Sequence, residues 1–224
     1  MISHSIHNRH RLRRHDLIFV SSAAWRSLLK ACDDVVKDPL VESWVDRGWP
    51  LVARRPMPSE PNGIALGLPL PPFAGKRRLS FLMQQRDIVK EAPPPELKDT
   101  FAVAPQPWRP TLFRVADLAS RLGLQSRVFG SLAWQTLTGL NYLSVGSDLD
   151  LLLSRPRRSD LGQLTDALSA IEAAAPMRLD GEIMRDDGAG VNWRELHAGA
   201  REVLVKTTDG LVLLRANAFL SEET

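Results

Sequence analysis

Proline divides this chain in two. Fourteen of its sixteen prolines lie before residue 111, and each removes a backbone donor, fixes φ and turns the preceding residue away from helix. The first half can therefore hold only short elements joined by turns, while the second is free to build longer helices. The densest stretch, Ala92 to Pro110, contains Pro93 to Pro95, Pro105, Pro107 and Pro110 and reads as an extended connector. The expected organisation is a basic, flexible N-terminus over 1–14, a smaller N-terminal α+β domain over 15–91, the connector over 92–110 and a second domain over 111–224.

With 224 residues, 44% of them apolar, the chain can bury a sizeable core. No apolar run approaches the roughly 20 residues that cross a bilayer. The Arg- and His-rich start, Met1 to His15, is not followed by an apolar signal core. A soluble protein without membrane contact is expected. Cys32 is the only cysteine, which excludes an intrachain disulfide and a cysteine zinc cluster and suits the reducing cytoplasm; the spacing puts it on a packed helix. The net charge of +3 hides an asymmetry. Residues 1–110 carry 17 Lys+Arg against 11 Asp+Glu, and residues 111–224 carry 12 against 15. A basic half beside an acidic one suits an anionic ligand held by the first and cations gathered by the second. The modest excess, without an aromatic-rich basic stripe, weighs against nucleic-acid binding.

In the first half, His15 to Val20 reads as a strand, Ser22 to about Val36 as a helix, Asp38 to Arg47 as a second short helix and Pro50 to Arg55 as a strand. Arg54, Arg55, Lys76, Arg77 and Arg78 gather near strand ends; Gly63, Gly67 and Gly75 surround the later three. They form either a solvated edge or a phosphate-facing loop. In the second half, Val115 to Leu122 has helical spacing closed by Gly123, Arg127 to Phe129 begins a strand, and Ser131 to Leu137 is helical. Leu149 to Leu153 and Arg178 to Met184 read as strands. Between them Asp160 to Ala174 is an amphipathic helix with Leu161, Leu164, Leu168 and Ile171 on one face and a capping box from Asp160 to Gln163. Val203 to Lys206 and Leu211 to Arg215 form a hairpin turning at Asp209-Gly210.

The chemistry concentrates in Val128-Phe129-Gly130-Ser131 and, sixteen residues after Ser131, Ser147-Asp148-Leu149-Asp150-Leu151. On a strand, Asp148 and Asp150 point to one face while Leu149 and Leu151 enter the core. Two convergent carboxylates repel unless they share a divalent cation, and oxygen ligands suit Mg²⁺ or Mn²⁺. Gly130 and Ser131 lie where a strand turns into a helix, so their N–H groups and the positive helix end can meet a phosphate. Asp180 and Glu182, two apart on a later strand, are alternative candidates for a third acid. His15 beside Asp16 reads as a structural pair outside catalysis, and Trp49, Trp108 and Trp193 as core or interface anchors.

The order apolar residue, Gly-Ser, helix, Asp-x-Asp resembles the signature of the nucleotidyltransferase superfamily, the DNA polymerase beta-like fold. The longer spacing implies a loop from Gly139 to Gly146 before the acidic strand. Over most of its length the chain is further similar to the malonate decarboxylase holo-acyl-carrier-protein synthases, or phosphoribosyl-dephospho-CoA transferases. The likeness rests on Arg14-His15-Asp16-Leu17, Gly48-Trp49-Pro50-Leu51-Val52 with Arg54-Arg55, Gly67-Leu68 with Lys76, and the Gly-Ser and Asp-x-Asp motifs. It continues through Asp180-Gly181-Glu182, Trp193-Arg194-Glu195 and Val203 to Lys206.

The resemblance implies an α+β protein whose C-terminal domain has the polymerase beta-like fold. It implies a donor, 2′-(5″-triphosphoribosyl)-3′-dephospho-CoA, and an acceptor serine on the apo acyl-carrier subunit of malonate decarboxylase. Pyrophosphate is the expected leaving group. Catalytic roles fall to Asp148, Asp150, Asp180 and Glu182, and the metal ligands are Asp148, Asp150 and Asp180. Gly130, Ser131, Lys206, Arg194, Arg54, Arg55 and Lys76 would bind substrate phosphate. The rival expectations are a nucleotidyltransferase of the same fold acting on RNA, a small molecule or another protein, and a non-catalytic binding module.

Overall fold

The structure, a computed structural model, describes residues 12–31 and 38–221. Cys32 and the end of the helix expected to reach Val36 lie outside the described residues. The first domain contains β1 (Leu17–Val20), α1 (Ser22–Lys30), α2 (Pro39–Ser43), β2 (Leu51–Ala53), β3 (Ile64–Pro69), β4 (Arg78–Met83) and β5 (Ile88–Ala92). Its five strands form one antiparallel sheet in the order β4-β3-β2-β1-β5. Local chemistry starts both helices: the Ser21 hydroxyl accepts the Ala24 N–H at 3.2 Å, and Asp38 accepts the Leu40 N–H at 3.0 Å ahead of Pro39. Trp25 and Trp44 fill the core, and their indole N–H groups reach the carbonyls of Val41 and Pro50 at 3.0 and 2.9 Å. A buried indole needs such an acceptor. Strands β3 to β5 escaped the sequence reading. β3 carries Gly67 and ends on Pro69, and β5 is an edge strand with the sequence Ile-Val-Lys-Glu-Ala, which shows no apolar face.

The second domain contains α3 (Arg109–Arg121), β6 (Ser126–Val128), α4 (Gly130–Thr138), β7 (Leu149–Ser154), α5 (Leu161–Glu172), β8 (Leu179–Met184), β9 (Gly190–Asn192), α6 (Trp193–His197), β10 (Glu202–Lys206), β11 (Leu211–Arg215) and α7 (Ala216–Leu220). The six strands form a mixed sheet in the order β11-β10-β9-β8-β7-β6, in which β7 and β8 are parallel and all other pairs antiparallel. A parallel pair needs a crossover, and α5 supplies it. Leu164, Leu168 and Ile171 of α5 and Leu112, Val115 and Leu118 of α3 share one core with Leu149, Leu151, Leu153, Leu179 and Ile183 of the two central strands. The protein is thus α+β, with two sheets and, among the described residues, seven α-helices. No helix among those residues is long and apolar enough to cross a membrane.

Two local expectations give way. Helix α3 begins at Arg109, six residues earlier than its apolar spacing implied, because Pro110 sits in the first turn, where a missing N–H leaves no bond unmade. The rest of the proline-rich stretch folds into short 3₁₀ turns that bury Leu97, Thr100 and Trp108. The capping box at Asp160 does not form. A 3₁₀ turn over Arg158–Asp160 runs straight into α5, so Asp160 has near-helical backbone angles and its carboxylate takes the Ser159 hydroxyl instead. The hairpin at Asp209-Gly210 is present, closed by Thr207 N–H to Gly210 O at 2.9 Å.

The domains share more than a connector. Trp134 of α4 and Tyr142 of the following loop are buried in the first domain's core, Trp134 6.0 Å from the Trp44 ring, and Tyr142 Oη donates to Pro69 O at 2.8 Å. Arg55 reaches from beyond β2 to the carbonyls of Thr207 and Gly210 at 3.3 and 2.9 Å. Trp134→Ala should therefore lower the unfolding free energy by about 3–5 kcal/mol, read from urea denaturation. Tyr142→Phe, which loses one hydrogen bond, should lower it by about 1 kcal/mol. A Trp134→Ala protein as stable as the wild type would show that the shared core contributes nothing.

Candidate active site

The centre of the second sheet is where the chain puts its acids. β7 alternates Leu149, Leu151 and Leu153 into the core with Asp150 out of it, and β8 does the same with Leu179 and Asp180. Parallel register sets Asp150 directly beside Asp180, about 4.8 Å apart along the sheet, while Asp148 stands just before β7. Burial, then the charges of Asp180 and Asp148, push the Asp150 carboxyl up to about 7, against the opposing pull of Arg78 and a hydrogen bond from the Ser131 N–H. This carboxylate is crowded by its own kind.

Strand β6 ends at Val128 and α4 starts at Gly130, with Phe129 N–H fixed to Asp150 O at 3.1 Å. Gly130 has φ +66°, and a Cβ there would stand 1.8 Å from Asp150 Oδ2. No other residue tolerates both that backbone and that approach. The glycine turn expected to meet a phosphate and the acidic strand are therefore in direct contact, and the Ser131 amide is turned to Asp150.

Asp180 and Glu182 have different surroundings. Asp180 accepts from Asn192 Nδ2 at 2.9 Å, and the same Asn192 caps α6 through its other side-chain atom. Glu182 is 3% exposed and held by Arg14, whose Nη1 and Nη2 donate at 3.1 Å each, and by Lys206 Nζ at 2.7 Å. Gly190 makes room for it, since a Cβ there would lie 2.8 Å from Glu182 Oε2. Burial alone would raise the Glu182 carboxyl, but Arg14 and Lys206 outweigh it and hold it below the usual range. Among the described residues no three acids, histidines or cysteines form a ready metal cage. The chemistry at Asp148, Asp150 and Asp180 still suits a hard divalent cation: all three offer carboxylate oxygens, and their mutual repulsion is what such an ion would relieve.

A cleft of about 410 Å³ opens in front of Asp150, between the domains. Gly130, Ser131 and Asp150 line it from the second domain; Arg54 and Lys76 line it from the first. The other cations expected at phosphate lie elsewhere. Arg55 bonds the β10–β11 turn, Lys206 bonds Glu182, and Arg194 lies over the Trp193 ring at 4.7 Å and pairs with Glu172, with Nη1 4.0 Å from Asp180.

Three residues at the site, Arg14, His15 and Asn192, were given no part in it by the sequence, and a fourth, Arg78, stood there only as a solvated edge or a phosphate-facing loop. Arg14 sits in the stretch read as flexible, yet it crosses to Glu182. His15 lines the cleft at φ +73°, its ring 4.2 Å from Phe129; burial first, then Arg14, lowers it to about 4, so it is neutral. Arg78 faces Asp150, and Asn192 orients Asp180. The Arg14-His15-Asp16 run was a signal for the first two. Trp108 and Trp193 are buried, as anchors are.

The raised Asp150 has a consequence for the metal-free protein. Between about pH 4 and 7 the folded chain holds a proton that the unfolded chain has released, so this group's stabilising contribution is complete below about 3.8 and is lost as pH rises through about 7. Asp150→Asn should flatten that fall and raise Tm above pH 7 without divalent ions, measured by thermal scans across pH. A parallel fall in both proteins would rule out the crowding described above.

Comparison with known proteins finds the same two-domain division. Residues 13–94 match the phosphoribosyl-dephospho-CoA transferase MdcG N-terminal domain, and residues 96–217 match the MdcG C-terminal domain. The phosphoribosyl-dephospho-CoA transferase of Bradyrhizobium diazoefficiens is 49% identical over 211 residues, covering 94% of this chain and 93% of that one. The same-named protein of Xanthomonas campestris pv. campestris is 38% identical over 82% of this chain and 87% of its own, and that of Pseudomonas putida 32% over 73% and 77%. No solved structure matches. The chain belongs to the phosphoribosyl-dephospho-CoA transferase family.

Proposed function

We propose that this transferase moves the phosphoribosyl-dephospho-CoA group from 2′-(5″-triphosphoribosyl)-3′-dephospho-CoA to a serine of the apo acyl-carrier subunit of malonate decarboxylase, releasing pyrophosphate. The observation that carries the reading is the position of Asp150. It is crowded by Asp148 and Asp180, set against the Gly130 turn and open to a cleft large enough for part of a nucleotide. The family membership supplies the reaction class. We further read the second domain as a nucleotidyltransferase of the polymerase beta-like kind, on its Gly-Ser and Asp-x-Asp motifs.

The reaction is an in-line displacement. The serine Oγ–Pα bond forms as the bond from Pα to the β-phosphate oxygen breaks; its electron pair leaves with pyrophosphate, and the serine proton passes to a carboxylate. Asp148, Asp150 and Asp180 would hold Mg²⁺ or Mn²⁺, which when bound neutralises the polyphosphate and lowers the pKa of the attacking hydroxyl. Asp180 is the third acid in this reading, because Glu182 already serves two cations. Held by Asn192 and partly exposed, Asp180 would accept the serine proton. Gly130 and the Ser131 hydroxyl, at the start of α4, bind phosphate oxygens.

The test combines purified enzyme, the triphosphate precursor, Mg²⁺ and apo carrier, reading pyrophosphate and the mass of the carrier. Asp148→Ala, Asp150→Ala and Asp180→Ala should each lose activity on the order of 10² or more. Mg²⁺ should raise the Tm of the wild type above pH 7 but not that of Asp150→Asn. Activity with ATP and RNA, and none with the carrier, would overturn the proposal.

Glu182→Ala should behave differently from Asp180→Ala. It strands Arg14 and Lys206 and should lower the unfolding free energy by about 3 kcal/mol, whereas Asp180→Ala should leave stability nearly unchanged. Equal stability of the two variants in urea would return Glu182 to the list of candidate third acids.

A further inference from the structure

Transfer from a triphosphate requires cations that are not already spoken for. Around the acids, most are. Arg14 and Lys206 hold Glu182, Arg194 holds Glu172, and Arg55 holds the carbonyls of Thr207 and Gly210. Within the cleft Arg54 is paired with Glu60, and Arg77 with Asp38 at 3.1 Å. Two cleft cations remain, Lys76 and Arg78, whose side chains make no ion pair or hydrogen bond with another described residue.

Their backbone places them with some effort. Lys76 has φ +52° and is held there by its N–H, which donates to Pro71 O at 3.2 Å, while Leu70 N–H donates to Arg77 O at 2.8 Å and closes the turn into β4. His15 and Lys76 are the non-glycine residues at positive φ among the described residues, and both line this cleft. Such a conformation costs on the order of 1 kcal/mol or more and persists where the surroundings impose it, commonly at ligand sites. Arg78, at the first position of β4, is near enough for its charge to act on Asp150 from the opposite domain.

We propose that Lys76 and Arg78 form a polyphosphate site on the first domain, which grips the β- and γ-phosphates of the donor and then the departing pyrophosphate, opposite Asp150. The inference rests on the transferase reading above. It divides the labour between the domains: the second gathers acids for the cation and serine chemistry, and the first supplies positive charge to the leaving group. An arginine and a lysine without protein partners suit this role, since a phosphate oxygen can satisfy their donors without breaking an existing bond.

Both side chains are surface-accessible, so the variants should fold. Calorimetry with inorganic triphosphate, alongside kinetics with the precursor, tests the site. Arg78→Ala and Lys76→Ala should each weaken triphosphate binding and raise the KM for the precursor about tenfold, with the KM for the carrier unchanged. Arg78→Lys should recover part of the loss, and Arg86→Ala, on a distant turn, should match the wild type. Wild-type binding of triphosphate by both alanine variants, or no binding by the wild type, would overturn the site. A wild type that binds triphosphate through these residues but transfers nothing to the carrier would keep the site and refute the transferase reading.

Discussion

The structure turns on an unbalanced repulsion. Register in β7 and β8 brings Asp150 and Asp180 side by side, Asp148 stands just before them, and burial of Asp150 denies it the water that would screen its neighbours' charges. A protein built only for stability would replace such a group with a leucine, as it does at Leu149, Leu151 and Leu153 on the other side of the strand. Around the acids the fold is arranged so that the repulsion is tolerated without being cancelled. The Ser131 N–H and the Arg78 charge ease it, and Gly130 clears the space in which the carboxylate stands.

Glu182, one step along the same strand face, is the counter-example. It is more deeply buried than Asp150 yet remains ionised, because Arg14 from the first domain and Lys206 from β10 both reach it. Two carboxylates on adjacent strands are thus driven in opposite directions by their surroundings. One is a structural tie between domains, and the other is left reactive.

Much of this was legible in the sequence, though unevenly. Alternation around Asp148 and Asp150, the Gly-Ser turn, the face of α5 and the turn at Asp209-Gly210 are local patterns, and local patterns survive folding. The partners of each charge are not local. Arg14 and Glu182 are 168 residues apart, and Asn192 meets Asp180 only because β9 pairs with β8. Arg54, Arg55, Arg194 and Lys206 looked equally available as cations until the structure gave each an acceptor in the protein. The short edge strand β5 lacked an apolar face to announce it, and the cap expected at Asp160 lost to a 3₁₀ turn that only tertiary contacts select.

The family boundary near residue 95 invites treating the halves as separate modules, with Trp134 and Tyr142 as mere contacts between them. Those two aromatics do something else. By embedding the loop after α4 in the neighbouring core, they fix the width of the gap across which Arg78 faces Asp150. Electrical force across a gap depends on its width, so an aromatic lock in the wall of the same cleft bears on the field in which the reacting groups meet. The hydrophobic seam is, in effect, the spacer of a capacitor whose plates belong to different domains.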